Sequence, residues 1–535
     1  MSSPKKFKKI KSMDKKRKGT TQNKLRKNIG FPLSNGMKLL DSSSFADKLA
    51  MIICNGKDTA TVEDVLTEFQ SKGILHDDPR VSELVTILKE EIIIQKDELI
   101  KLIKSNMEMM QKIYTDDFGV KHFDKFTRKI KEIYIDVKKN ISGNVASYIP
   151  QLAKVNPEYF GVSICTVDGQ RYSIGDCDID FCIQSCSKII NYCIAYEQHG
   201  DAVHKYAGKE PSGVSFNALT LDSTGKPHNP CINAGAIMVC SLINNNNVSS
   251  SDQDLDMVNP EEYEANRFDY LMGVYQKLCN GKVGFNNSVY LSERATGHRN
   301  YALGHFMKEQ NPGFPPDTSL TDVLEFYFQC CSLEITANKL SVIAGTLASG
   351  GINPLTSQKI FGNKTVKNCL SLMNSCGMYD YSGEFAFSIG IPSKSGVGGG
   401  IVSVIPGLMG IATFSPRLDS YGNSARGIEF LQKLGRDFSL HHFNSFEMKK
   451  SCSIWTNSLE TKLDEPSTAT GTSSILQSHA HNKLSLYRTI LYASVGDLGG
   501  IKRLFLKGYS LFESDYDKRT PLHLAASNGH LNIVK

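Results

Sequence analysis

The sequence predicts a multidomain α+β protein: a mixed central domain between an N-terminal helical domain and C-terminal repeats. Three observations carry this. Residues 45–140 place apolar side chains at three- and four-residue spacing, the period of helices packed on one face. From about Asn144 the chain turns rich in Gly, Asn and small residues, and short β-like runs stand at both ends of a helical middle. Near the C-terminus a segment repeats itself with an offset of 33 residues.

Length and composition set the frame. A chain of 535 residues is too long for one typical domain. It is 40% hydrophobic and 22% charged, ordinary for a globular protein, and no apolar run approaches the roughly 20 residues of a membrane span. The net charge of +6 is unevenly placed. Residues 1–30 hold twelve Lys/Arg against the single acid Asp14, leaving −5 on the other 505 residues. A mildly acidic body argues against nucleic-acid binding. The basic tail, 1–44, is expected to be disordered. It suits a nuclear-import-like patch, a membrane-surface or RNA contact, or a plain solvated tail, the last being preferred. Lys-rich and without amphipathic period, it makes a poor mitochondrial presequence. The fourteen cysteines include no C-x-x-C pair and read as small buried hydrophobes in a reducing compartment.

Within 45–140, helices are expected at Ala46–Ile53, Val62–Phe69 and Val81–Lys101, with Thr61 capping the second and Asp64 in its first turn. The outline is EF-hand-like, but no calcium-loop pattern is present. The central domain, 145–435, opens with Gly161–Val167 and Arg171–Ile174 around Asp168-Gly169, a strong hairpin signal. Further strands are expected at Ala386–Ile391, Ile401–Ile405 and Met409–Phe414. Helices are expected at Ser185–His199, Asn233–Asn244, Arg267–Leu278, Leu320–Cys331 and Ala337–Ala348. Residues 448–482, rich in Ser and Thr, read as a linker. In 483–535, Leu491-x-Ala493-Ser494-x-Gly496-x-Leu498 matches Leu524-x-Ala526-Ser527-x-Gly529-x-Leu531. With Thr520-Pro521-Leu522-His523, this is the ankyrin signature. Two copies are few for a stable stack. Either the repeats are truncated at Lys535, the preferred reading, or they rest on another surface.

One constellation carries chemistry. Ser185 and Lys188 stand three apart, so on a helix they share a face one turn apart. The spacing alone is weak, since it recurs at Ser2, Ser3, Ser12 and Ser223. Ser185, however, follows the strand-like Asp180–Ile183 and opens an apolar helix, where free backbone N–H groups favour developing negative charge. Burial and a second cation would leave Lys188 neutral enough to act as a base. Lys394-Ser395-Gly396 supplies that cation on a Gly-rich strand edge, the companion that acylated serines of the Ser-x-x-Lys class carry. A backbone N–H beyond the glycine can help bind an oxyanion.

These motifs have company. Tyr148-Ile149-Pro150-Gln151, Gln184-Ser185-Cys186-Ser187-Lys188, Pro227-His228-Asn229-Pro230-Cys231-Ile232-Asn233, Ser292-Glu293-Arg294, Arg299-Asn300, Gly377-Met378-Tyr379-Asp380-Tyr381-Ser382 and Lys394-Ser395-Gly396-Val397 together resemble the animal kidney- and liver-type glutaminases. The resemblance spans about 45–535. It implies a serine β-lactamase/transpeptidase-like fold for the central domain and hydrolysis of L-glutamine to L-glutamate and ammonia. It implies Ser185 as nucleophile, Lys188 as base and Tyr379 as proton relay. Tyr148 lines the pocket, and the N–H groups of Ser185 and Val397 hold the oxyanion. Asn233, Glu293, Asn300 and Tyr327 grip the amino-acid end of the substrate, and Lys394 supports. Glutamine's ammonium and carboxylate call for one anion and several neutral donors, which that set supplies. The resemblance further implies no metal or organic cofactor, a homodimer or homotetramer, and mitochondrial residence, with the cytoplasm as alternative given the tail. The ankyrin repeats suggest a protein partner. Two other readings stand beside this one: a penicillin-recognising or β-lactamase-like enzyme, which leaves Glu293 and Asn300 unexplained, and an inactive scaffold, against which Ser185, Lys188 and Tyr379 argue.

Overall fold

A computed structural model describes residues 42–89, 92–213, 218–244, 260–311, 313–443, 486, 488–515 and 517–535. The expected basic tail, up to residue 41, and the linker 448–482 lie outside the described residues.

The N-terminal unit is a pair of helix–loop–helix motifs. Helices Ser42–Ile53 and Val62–Ser71 flank strand β1 (Thr59–Thr61), and helices Ser82–Lys89 and Lys96–Ser105 flank β2 (Ile93–Gln95). The strands pair antiparallel, Ala60 opposite Ile94. Thr61 caps its helix, accepting from Asp64 N at 3.3 Å. The continuous helical pattern expected over Val81–Lys101 is thus broken by a strand. The β-branched run Ile92-Ile93-Ile94 explains it: only Ile94 is buried, so the segment alternates like a strand edge. Among the described residues no group of His, Cys, Asp or Glu is placed to hold a metal ion, and no helix is long and apolar enough to cross a membrane.

Ankyrin helix Leu498–Leu506 rests on this unit. Leu506 is buried with Phe45, Leu49 and Met110, the Lys48 ammonium sits 5.3 Å from the Phe505 ring, and Arg503 pairs with Asp116 at 3.9 Å. The first copy therefore rests on a surface outside the repeats. The second copy holds to the first through Asn528 and His530, both bonded to Ser494 O at 2.9 Å. Thr520 and His523 form a reciprocal capping box that starts helix Pro521–Ser527.

The central sheet is antiparallel: β3 (Gly161–Thr166), β4 (Arg171–Gly175), β8 (Ser393–Ser395), β9 (Gly400–Ile405) and β10 (Met409–Phe414), in spatial order β4-β3-β10-β9-β8. The Asp168-Gly169 hairpin is present with Ser163 opposite Ser173. One face packs on helices Ser187–His199 and Ala337–Ala348, and so close that a Cβ on Gly410 would lie 2.1 Å from the Ala344 backbone. The other face is covered by helices Phe123–Val137 and Ala425–Asp437. A second small sheet, order β5-β7-β6, joins β5 (Phe181–Cys182), β6 (Gly284–Phe285) and β7 (Leu333–Ile335). Helices Leu320–Cys331 and Ala337–Ala348 have the bounds the sequence suggested. Ala386–Ile391 does not form the expected strand. Helix Ser382–Ser388 runs into it, because Phe385 and Ile389, four apart, are buried together while Phe387 is exposed.

Candidate active site

The nucleophile turn is built by its neighbours. After β5, Ile183 N donates to Leu333 O at 2.8 Å, which pins the strand end. A 3-10 turn, Gln184–Cys186, then leads into helix Ser187–His199. Gln184 adopts a left-handed φ of 49°, an uncommon conformation for a non-glycine residue, and this sharp entry places Ser185 at the helix start. The edge strand β8 closes over the turn. A Cβ on Gly396 would lie 2.8 Å from Ile183 O, and one on Gly398 2.4 Å from Cys182 O, so glycine lets the Lys394–Gly400 edge approach.

Ser185 and Lys188 are buried, 9% and 2% exposed. The Lys188 ammonium donates to Asn233 Oδ1 at 2.6 Å, and Asn233 Nδ2 donates to Asn300 Oδ1 at 3.1 Å. A lysine is donor-only, so it fixes which end of the Asn233 amide faces it. Burial first, and the Lys394 charge second, lower the Lys188 pKa to about 8. Lys394 is fully buried, with its own pKa lowered by burial. Its ammonium donates to Ser395 O at 2.8 Å and Gly377 O at 3.1 Å and lies 4.6 Å from the centre of the Tyr379 ring. Burial raises the Tyr379 pKa well above the ordinary phenol value, while hydrogen-bonding approach to the Ser185 side chain and the Val397 backbone opposes the shift. Tyr379 therefore stands as a neutral phenol facing Ser185.

The acidic end lies across from this. The Tyr148 hydroxyl donates to Glu293 Oε1 at 2.6 Å and Gln184 Nε2 to the same oxygen at 3.0 Å. Burial raises the Glu293 pKa, and these two donors, with Lys188, pull it back. Tyr148 is half exposed, its hydroxyl turned inward. Burial and the nearby Cys331 and Glu293 keep Tyr327 protonated. Every site residue expected from sequence thus gathers around one turn, although the Lys188 hydrogen bond goes to Asn233. Sequence reasoning missed Gln184, whose signal is a backbone angle. A separate cleft of about 590 Å³, lined by Glu197, His199, Lys277 and Lys359 among others, contains none of the site residues.

Comparison with known proteins decides the family. The family model for glutaminase matches residues 143–443, and the model for ankyrin repeats matches 492–535. The chain belongs to the glutaminase family. The mitochondrial liver-isoform glutaminase of Mus musculus is 38% identical over 498 residues, 91% of this chain and 77% of its own. Putative glutaminase 2 of Caenorhabditis elegans is 39% identical, over 90% of this chain and 76% of its own. A Nostoc glutaminase is 42% identical over 60% of this chain and 90% of its own. Among solved structures, a probable glutaminase superposes with a TM-score of 0.54 at 33% identity, covering 60% of this chain and 98% of the other. The native form of Mglu gives 0.52 at 32%, covering 59% and 72%. The family reaction is hydrolysis of L-glutamine to L-glutamate and ammonia, on a β-lactamase-like fold.

Proposed function

We propose that this glutaminase works by two acyl transfers at Ser185. Ser185 Oγ attacks the side-chain amide carbon of glutamine as neutral Lys188 takes its proton. The N–H groups of Ser185 and Val397 hold the oxyanion. Lys188 returns the proton to the leaving nitrogen, with Tyr379 relaying, and ammonia departs. Water then attacks the glutamyl ester by the reverse proton path, releasing glutamate. Glu293 receives the α-ammonium, and Asn233, Asn300, Tyr327 and Tyr148 serve the amino-acid end. Lys394 supports by holding Tyr379 and adding the second positive charge. The observation that carries this reading is Lys188: a fully buried lysine, one helical turn after Ser185, poised to lose its proton near neutrality.

The test is ammonia release from glutamine across pH. Lys188 acts as base only when neutral, and its pKa is about 8. The expected kcat/KM rises about tenfold per pH unit up to that value, then levels. Lys394→Met removes the second cation, so the Lys188 pKa moves back up and the rising limb shifts to higher pH. A rate flat between pH 6 and 8 overturns the lysine base.

Glu293→Gln keeps the shape and removes the anion facing the ammonium. KM is expected to rise roughly 10- to 100-fold, the worth of a charged hydrogen bond, with kcat changed much less. An unchanged KM moves the ammonium site elsewhere.

A homodimer or homotetramer and mitochondrial residence belong to the same reading. Supporting the second are the mouse and rat liver isoforms, both described as mitochondrial. The Lys-rich first thirty residues favour the cytoplasmic alternative. Sedimentation reads the first point, and imaging with and without that segment reads the second. The ankyrin repeats are proposed to bind a protein partner.

A further inference from the structure

Tyr379 itself has an unusual backbone. Its φ is 53°, the left-handed region that a bulky side chain rarely enters. It sits in the short 3-10 turn Tyr379–Tyr381 between helices Asn363–Cys376 and Ser382–Ser388. Such a conformation persists only where the surroundings over-determine it.

Two buried polar side chains do so here. Ser382 Oγ accepts from Met378 N at 2.9 Å and donates to Tyr379 O at 2.6 Å. Serines at helix starts often bond a carbonyl three residues back. The second bond, taken from Met378 N, is the added feature, and it ties the peptide before Met378 and the peptide after Tyr379 to one hydroxyl. Asn423 Nδ2 donates to Met378 O at 3.3 Å. Asn423 is fully buried, and its Oδ1 meets no partner among the described residues. That is an unfavourable placement which stability alone does not explain. Its own backbone is held by Asp419: Oδ1 accepts from Asn423 N at 2.9 Å, and Asp419 N donates to Asn423 O at 2.7 Å. The preceding Gly422 packs against the Tyr379 ring, to which a Cβ there would come within 3.9 Å. Lys394 covers the ring at 4.6 Å.

We propose that Ser382 and Asn423 are positioning residues for Tyr379: they lock its left-handed backbone so that the hydroxyl points at Ser185 and Val397. Neither touches the reacting atoms. The proposal rests on Tyr379 being the proton relay. Released from the clamp, the residue would relax to an ordinary φ and carry the phenol away from Ser185. The Ser185–Lys188 pair and the Glu293 end would stay in place, so the loss belongs in kcat and not in KM.

The experiment is a double-variant cycle in the full chain, read as ammonia release from glutamine. Ser382→Ala and Asn423→Asp are each expected to lower kcat about 10- to 100-fold, the effect of ångström-scale misplacement, with KM held within about twofold. Ser382→Thr, which keeps the hydroxyl, is expected to restore kcat. In a Tyr379→Phe background neither substitution should slow the enzyme further, because the group they aim is gone. Losses that multiply in that background overturn the clamp, as does a loss expressed in KM. Tyr379→Phe with the kcat of the unaltered chain overturns the relay reading and the clamp with it. A slow Tyr379→Phe beside fast Ser382→Ala and Asn423→Asp overturns the clamp alone. If Ser382→Ala fails to fold by circular dichroism, Asn423→Asp, which keeps the outline and turns the Nδ2 donor into a carboxylate oxygen that repels Met378 O, decides.

Discussion

Ser185→Ala is expected to lower ammonia release from glutamine by at least about 10⁴-fold, the scale on which nucleophile loss disables a serine hydrolase. The substitution deletes one oxygen from a buried turn whose backbone is fixed by Ile183, Leu333 and the left-handed Gln184. Lys188, Glu293 and Tyr379 keep their places, so glutamine should still bind with little change in Kd. Binding without turnover distinguishes loss of the nucleophile from loss of the fold. A second readout is chemical. Hydroxylamine competes with water for an acyl-enzyme, so the unaltered chain should yield γ-glutamyl hydroxamate, and Ser185→Ala none. Ammonia release that survives the substitution would mean direct attack by water and would end the covalent reading. No release from the unaltered chain would favour a scaffold carried by its helical and ankyrin parts. Hydrolysis of a β-lactam in place of glutamine would leave the Glu293, Tyr148 and Gln184 cluster without a purpose.

What sequence could and could not reveal follows from the range of the interactions. The Asp168-Gly169 hairpin was legible because a two-residue turn states its geometry locally. Ser185 with Lys188, and Lys394 with its glycines, were legible for the same reason. The strand at Ile93–Gln95 was not, since it exists only through pairing with Thr59–Thr61, more than thirty positions away. The run Ala386–Ile391 misled because its alternation is short, and the i, i+4 pair Phe385 and Ile389 begins just before it. The residues of the site illustrate the same point. Tyr148 and Glu293 meet across 145 positions, and Lys188 and Asn233 across 45. Only the resemblance named Tyr148, Asn233 and Glu293 in advance. Gln184 and Ser382 were seen only as members of motifs, without a role, and Asn423 escaped altogether, because each acts through a backbone angle or a buried bond that has no local pattern.

Lys188→Met should remove most activity and yet make the protein more stable at neutral pH. The activity loss is expected to be roughly 10³-fold or more, since a positioned general base supplies about that factor. The stability gain comes from linkage. In the unfolded chain a lysine titrates near 10.4, whereas in the folded protein Lys188 titrates at about 8. The folded state therefore disfavours the charged form by about 3 kcal/mol. Below about pH 8 the side chain is charged in both states, and that cost is fully present. Between there and about pH 10.4 the unfolded state holds more protons than the folded one, so stability rises with pH as the cost fades. Methionine fills similar space without charge and escapes the cost at every pH. It gives up the bond to Asn233 Oδ1, a loss of about 1–2 kcal/mol. The net expectation is a gain of about 1–2 kcal/mol near neutrality, turning into a small deficit by about pH 10. Denaturant midpoints of the two proteins at both pH values read it. A variant less stable than the unaltered chain at neutral pH, or a difference that does not change with pH, would show that Lys188 is not held against its charge. The strain that readies the base would then have to lie elsewhere. If the sign reverses as expected, the protein keeps a stability cost inside its core because the reaction needs a lysine that gives up its proton easily.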